Sequence, residues 1–269
     1  MEFKLPQRKE ISNKGTYGRV LNIAGSDYMP GAAYLSSVSA LKTGCGYCFL
    51  CSSERCINAV ASQTQNIVFV PYNNLEENIK TADVIEIGCG LGQNKESIKI
   101  FNNFLKYTPT DKNIIIDADG LNLISKGPQN FINKGFKNLI FTPHPKEAAR
   151  LLDVDNVLDD IEYAVQQITK IYNCVTVLKT HKTYVCSPDG RNYTSTTGNN
   201  ALAKAGSGDV LTGIISGLIA QGMDIFEGAS LGVYLHGLCA DIKAKELSQY
   251  SVMANDLINA IPFAIKTLL

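Results

Sequence analysis

Ile114-Ile115-Ile116 and Val175-Thr176-Val177-Leu178 place apolar or β-branched side chains at consecutive positions, which an extended strand turns to opposite faces. Such strands have no side suited to water. They belong in a parallel sheet covered by helices on both faces. The rest of the chain keeps this pattern. Strands are expected at 19–24, 47–51, 67–70, 84–87, 113–117, 138–141, 175–179, 184–186 and 191–194. Helices are expected at 31–43, 54–62, 95–106, 119–126, 146–152, 157–171, 208–221, 225–247 and 254–267. This predicts a three-layer α/β/α arrangement around a mostly parallel central sheet. The segment 183–187 and the run 191–194 flank Pro188-Asp189-Gly190, a turn sequence, and read as a small antiparallel hairpin.

No Pro-, Gly- or Ser-rich linker, internal repeat or low-complexity tract divides the 269 residues, so 1–269 reads as one domain. Hydrophobic residues make up 45% of the chain, enough apolar surface to exclude disorder. Lys and Arg total 25 and Asp and Glu total 25, so the net charge is zero, without the basic excess of a nucleic-acid binder. No apolar run reaches the roughly 18 to 20 residues that span a bilayer. The start, Met1-Glu2-Phe3-Lys4-Leu5-Pro6-Gln7-Arg8, is too polar for a signal peptide. A soluble cytoplasmic protein is therefore expected. Eight cysteines, mostly in apolar surroundings, fit a reducing compartment.

Cys45, Cys48, Cys51 and Cys56 have spacings that resemble a metal site. On a strand over 47–51, however, Cys48 is expected to point away from a face shared by Cys45 and Cys51. Packed core thiols are the expectation.

In open α/β sheets ligands collect beyond the carboxyl ends of the strands. Those positions here are rich in Gly, Asp and His: Gly25-Ser26-Asp27, Gly88-Cys89-Gly90-Leu91-Gly92, Asp117-Ala118-Asp119-Gly120, Thr142-Pro143-His144-Pro145 and Lys179. Gly206-Ser207-Gly208-Asp209 leads into a helical run. Glycines there let the backbone approach an anion, which the first-turn N–H groups and helix dipole favour. Asp209 would repel a bound phosphate, yet suits a base that takes a proton from an attacking hydroxyl. The tetrad alone equally fits an ordinary helix start capped by Ser207 or Asp209.

Gly88-Cys89-Gly90-Leu91-Gly92 lacks the Rossmann spacing and fits either a ligand turn or a structural one. His144 lies between two prolines at a strand end, three residues before Glu147, and suits ligand contact or helix capping. His181 and His236 read as loop or packed histidines. Asp153, Asp155, Asp159 and Asp160 read as a solvated helix entrance. Gly31-Ala32-Ala33 could admit a flat ligand or pack a helix closely.

Together these stretches resemble one family. The ordered set Lys14-Gly15-Thr16-Tyr17-Gly18, Ala24-Gly25-Ser26, Pro30-Gly31-Ala32-Ala33, the 88–92 glycine turn, Asp117-Ala118-Asp119, Thr142-Pro143-His144-Pro145-Lys146-Glu147, Leu178-Lys179, Gly198-Asn199, Ala205-Gly206-Ser207-Gly208-Asp209 and Tyr234-Leu235-His236-Gly237 is similar to the ADP-dependent NAD(P)H-hydrate dehydratases. The resemblance runs from about residue 14 to 262 and implies a ribokinase-like fold. It also implies conversion of the S epimer of NADHX or NADPHX to NADH or NADPH, with ADP as phosphoryl donor (ATP in some members) and release of AMP and phosphate. Position by position, it assigns Ala32, Gly90, His144 and Asp209 to the hydrate. Lys179, Thr180, His181, Lys182 and Thr183, with Gly206, Ser207 and Gly208, go to the adenosine nucleotide. A homo-oligomer, tetrameric as in many members, and a separate NAD(P)HX epimerase are implied in the same way. Cys89 stands where the family usually has Pro, and Thr180-His181 replaces Gly-Ala or Gly-Asn, which alters the adenosine site.

On this reading Asp209 accepts the hydroxyl proton and the N–H groups of residues 206–208 stabilise the migrating phosphoryl. Mg²⁺ is expected by phosphoryl-transfer logic, with Glu147 a candidate ligand and the full ligand set not legible. Two alternatives stand beside it: a kinase of the same fold acting on a vitamin-precursor alcohol, and a nucleotide sensor without turnover. A sensor would gain nothing from a carboxylate beside phosphate.

Overall fold

The computed structural model describes residues 2–269. Nine strands form one sheet in the order β3-β2-β1-β4-β5-β6-β7-β8-β9. They are β1 (Arg19–Ile23), β2 (Tyr47–Ser52), β3 (Val68–Pro71), β4 (Val84–Ile87), β5 (Asn113–Ile116), β6 (Asn138–Phe141), β7 (Val175–Leu178), β8 (Tyr184–Cys186) and β9 (Asn192–Thr194). β1 to β7 pair in parallel, and β8 and β9 close one edge as the antiparallel hairpin read from the Pro-Asp-Gly turn.

Among the described residues, eleven α-helices connect and cover the sheet: α1 (Pro30–Thr43), α2 (Glu54–Ala61), α3 (Leu75–Thr81), α4 (Lys95–Tyr107), α5 (Asp119–Ser125), α6 (Pro128–Ile132), α7 (Pro145–Leu152), α8 (Ile161–Tyr172), α9 (Ser207–Ala220), α10 (Ile225–Leu247) and α11 (Ala254–Lys266). The strand parity explains the layers. Ile114 and Ile116 turn into a core with Phe104 of α4, Ile124 of α5 and Ile168 of α8. Ile115 turns the other way, into a core with Ile215 and Ile219 of α9 and Phe226 and Val233 of α10. Each face of β5 is thus sealed by a helical layer, as its uninterrupted apolar sequence demands. No helix of the described residues is long and apolar enough to cross a membrane.

Three expectations need correction. Helices α3 and α6 were not anticipated; their seven and five residues are too short for a full periodic signature, and only the Leu75/Ile79 spacing marks α3. The helix expected from residue 157 begins at Ile161, where the Asp160 side chain accepts from Tyr163 N. Cys45 does not share a face with Cys51. Cys45 lies before β2 and packs with Cys48 in the α9-side core, whereas Cys51 turns to the opposite core. The turn through Gly44 and Gly46 breaks the alternation, so strand parity does not extend back to residue 45. All eight thiols are buried.

Strand order reverses around β1, with β2 and β3 on one side and β4 to β7 on the other. The crevice at the carboxyl ends of β1 and β4 is the position where such sheets take ligands. Helix α9 runs against this part of the sheet and packs tightly on α1. A Cβ on Gly213 would come within 2.1 Å of Ser36 O, and one on Gly217 within 2.6 Å of Ala40 O. Only glycine lets the two helices approach this closely.

Candidate active site

Helix α9 starts at Ser207, after Gly206 in the left-handed conformation with φ of 87°. No side chain caps it, so neither Ser207 nor Asp209 plays the capping part that an ordinary helix start would give it. Ser207 instead places its hydroxyl 3.2 Å from Nε2 of His236, a buried imidazole whose pKa burial pushes down to about 4. Ser207 N donates to Lys204 O, which removes it from the set of free amides expected at 206–208. The amides of Gly208 and Asp209 have no acceptor among the described residues. These two N–H groups form the exposed positive end of the helix.

Lys179, directly after β7, reaches this end. A Cβ on Gly208 would lie 3.3 Å from its Nζ. The ammonium is paired with Asp117, at the end of β5, across 2.7 Å. Burial alone would lower the lysine pKa, but the Asp117 and Glu147 carboxylates outweigh it and hold the ammonium above the ordinary lysine range. The residue after Asp117, Ala118, sits at φ 49° and ψ −119°. A non-glycine residue held there is strained, as backbone at functional positions often is.

A cavity of about 670 Å³ opens in front of Gly208. Its wall includes His144, Lys179, Thr180, His181, Thr183, Ser207 and Gly208, together with Lys204 and His236, and holds no Asp or Glu. The opposite wall is the segment between β9 and α9, pinned to α10 where Asp241 accepts from Gly198 N and Asn199 Nδ2 at 2.9 and 2.8 Å. Gly206 and Lys182 stand outside the wall. So do Ala32, Gly90 and Asp209.

A Cβ on Gly206 would be 3.9 Å from Asp209 Oδ2 and 2.6 Å from Leu35 of α1. Gly90 packs on the start of α1, where a Cβ would meet Ala32 Cβ at 2.7 Å. Its neighbour Cys89 is close enough to feel the Asp209 charge. Burial, with the Asp117 charge beside it, pushes the Asp209 pKa up to about 6. Adjacent residues of one helix turn are thus placed differently: Gly208 lines the cation-rich cavity, whereas the Asp209 carboxyl lies off its wall, near Cys89 and Asp117.

His144 lines the cavity and also caps α7: its Nδ1 accepts from Lys146 N and Glu147 N. Glu147 Oε2 accepts from His144 N at 2.8 Å, and Oε1 lies 3.2 Å from His144 Nε2. Burial and the Asp117 charge push the Glu147 carboxyl up to about 7. Burial, then the Lys179 charge, lowers the His144 pKa.

The sequence reading missed Asp117 as a partner of Lys179, and it missed Glu86 altogether. Glu86 is fully buried in β4, with Oε2 2.5 Å from Ser216 Oγ of α9. Its signal was present: a lone acid in the otherwise apolar strand Val84-Ile85-Glu86-Ile87.

A mostly parallel open sheet with a glycine-led helix start beside a half-buried lysine fits a ribokinase-like protein, and solved structures bear this out. A ribokinase-like superfamily protein from Enterococcus faecalis superposes with a TM-score of 0.89 at 28% identity, covering 98% of this chain and 92% of that one. Residues 20–263 match the family described as NAD(P)H-hydrate dehydratase. The chain belongs to this family. It is 40% identical over 239 residues to the ADP-dependent (S)-NAD(P)H-hydrate dehydratase of Neisseria meningitidis serogroup B, covering 87% of this chain and 80% of the relative. The Bacillus subtilis ADP/ATP-dependent NAD(P)H-hydrate dehydratase, co-crystallised with ATP and Mg²⁺, superposes with a TM-score of 0.86 at 30% identity over 98% of this chain and 95% of that one. Against the bifunctional NAD(P)H-hydrate repair enzyme Nnr of Moorella thermoacetica the identity is 32%, and the chain spans 52% of that relative's length.

Proposed function

We propose that the chain dehydrates the S epimer of NADHX or NADPHX to NADH or NADPH, spending ADP, or ATP in its place, as phosphoryl donor. The observation that carries this reading is the pairing of Gly208 and Asp209. Gly208 lines a cation-rich cavity suited to phosphate, and the next residue of the same helix turn carries a carboxyl with a raised pKa.

The chemistry needs both a phosphate site and a base. Hydroxide leaves poorly, since water has a pKa of about 15.7, whereas phosphate, with a second pKa of about 6, leaves readily. In this reading the nucleotide lies in the cavity against Lys179, Thr180, His181, Thr183, Ser207 and Gly208. The hydrate lies along Ala32 and Gly90, with His144 at the junction. Asp209 takes the proton from the hydrate's hydroxyl as its oxygen attacks the terminal phosphorus. The free amides of Gly208 and Asp209, with the Lys179 ammonium, stabilise the charge on the migrating group. The ring nitrogen's lone pair then expels phosphate, and loss of a proton from the adjacent ring carbon restores the double bond. AMP remains.

Mg²⁺ supplies charge neutralisation on the phosphates in such reactions and needs only one or two carboxylates besides phosphate and water. Glu147 as its ligand does not fit the geometry as it stands, because both of its oxygens are engaged by His144. A separate epimerase that recycles the R epimer belongs to the same reading. It is supported by bifunctional relatives about twice the matched length. A homo-oligomer and a cytoplasmic location complete the proposal.

Incubation with NADHX and ADP, following absorbance and phosphate together, tests it. A gain in reduced-nicotinamide absorbance with one phosphate and one AMP per turnover is expected. A stable phosphate ester of an alcohol substrate would favour the kinase alternative. Nucleotide binding with no product would favour a sensor.

A further inference from the structure

Helix α9 is apolar over most of its surface, yet Thr212 and Ser216 face the sheet on the same stripe as Gly208. Thr212 Oγ1 donates to Asp117 Oδ2 at 2.8 Å, and Ser216 Oγ lies 2.5 Å from Glu86 Oε2. Each hydroxyl also meets the carbonyl four residues back, Gly208 O at 3.0 Å and Thr212 O at 2.9 Å. Buried hydroxyls on a helix are satisfied by that local bond alone and do not need a carboxyl. The carboxyls are the expensive partners, because burying them costs desolvation that a valine would avoid. Neither Asp117 nor Glu86 is itself part of the cavity wall.

What the two pairs do is fix α9 against the sheet. They lie one helical turn apart on the helix and on neighbouring strands, so together they oppose both sliding and rotation of α9. The upper pair is also joined to the site: the other oxygen of Asp117 holds the Lys179 ammonium. One carboxylate thus sets the distance between that ammonium and the start of the helix.

We propose that Thr212 and Ser216 are positioning residues, which hang α9 on Asp117 and Glu86 and thereby place the Asp209 carboxyl and the free first-turn amides against Lys179. The inference rests on the proposed function only for its kinetic readout. Thr212→Val keeps the side chain's shape and removes the hydroxyl, whereas Thr212→Ser keeps the hydroxyl and removes the methyl group. With NADHX and ADP, Thr212→Val is expected to lower kcat about 10- to 100-fold, the scale of a small misplacement of reacting groups, and to change KM for ADP less than about 3-fold. Thr212→Ser is expected to stay within about 3-fold of the parent kcat. Ser216→Ala should lower kcat in the same direction.

Amide hydrogen exchange over 206–212 is read on the same proteins, and Thr212→Val should exchange faster there than the parent or Thr212→Ser. Equal kcat in Thr212→Val and the parent, or equal losses in Thr212→Val and Thr212→Ser, would overturn the proposal. If Thr212→Val does not fold, Ser216→Ala decides: unchanged kcat and exchange overturn it. If the parent itself does not turn over NADHX, the proposed function falls, and exchange alone decides the positioning claim.

Discussion

Asp209 is a carboxyl whose surroundings tune it for proton transfer. Burial and Asp117 raise its pKa to about 6, within reach of neutral pH yet ionised there. A base acts in its ionised form, so kcat/KM for the hydrate should rise through about pH 6 and reach a plateau above it. A pH–rate profile with no acid limb in that range would contradict the assignment. Glu86 titrates with a different consequence. Burial raises its pKa from 4.5 to about 8, so between those values the folded chain holds a proton that the unfolded chain has released. Its contribution to stability is full below about pH 4.5 and is lost as the pH rises toward 8. Urea unfolding of Glu86→Gln and the parent should therefore diverge in favour of the variant between pH 5 and pH 8; a constant difference would show that Glu86 does not titrate there. Sequence reading placed Asp209 at a helix start from its glycines alone. It could not place Glu86, whose partner Ser216 is 130 positions away.

At the scale of elements, the regular pattern was legible because parity and periodicity are local properties. All nine strands appear within a residue or two of their expected bounds, including both arms of the hairpin. The errors arose where local rules lapse. α6 is five residues long, and the phase of Cys45 was lost through a glycine turn in which Gly46 lies against Lys14 O. The α1–α9 contact was hidden for another reason. Gly213 and Gly217 read as ordinary residues of an apolar helix, and their need for glycine comes from a helix some 175 positions earlier. Gly213→Ala would push a methyl group into Ser36 O and shift α9. A loss of about 1 to 3 kcal/mol, with reduced turnover, is expected from such overpacking. Thermal unfolding and NADHX assays on this variant check both effects, and an unchanged melting temperature would contradict the close crossing.

At the scale of the whole molecule, the sheet gathers the loops after β1, β4, β5, β6 and β7 at one edge, and helix α9 crosses below them. The chemistry-bearing residue types could be read from the sequence because strand ends are where such sheets bind ligands. The placement of Gly208 on the cavity wall with Asp209 just off it could not. It depends on how one helix turn meets a cavity built from segments far apart in the chain. The pairing of Asp117 with Lys179, 62 positions apart, belongs to the same class of fact. In the proposed reaction this turn receives a phosphoryl group through its amides while its carboxyl takes the proton. Asp209→Asn keeps the shape and removes the base, so turnover of NADHX with ADP and calorimetric ADP binding, measured on the same preparation, separate the two roles. Turnover is expected to fall at least about 100-fold, the low end of general-base contributions, with ADP affinity retained. Turnover close to that of the parent would contradict it.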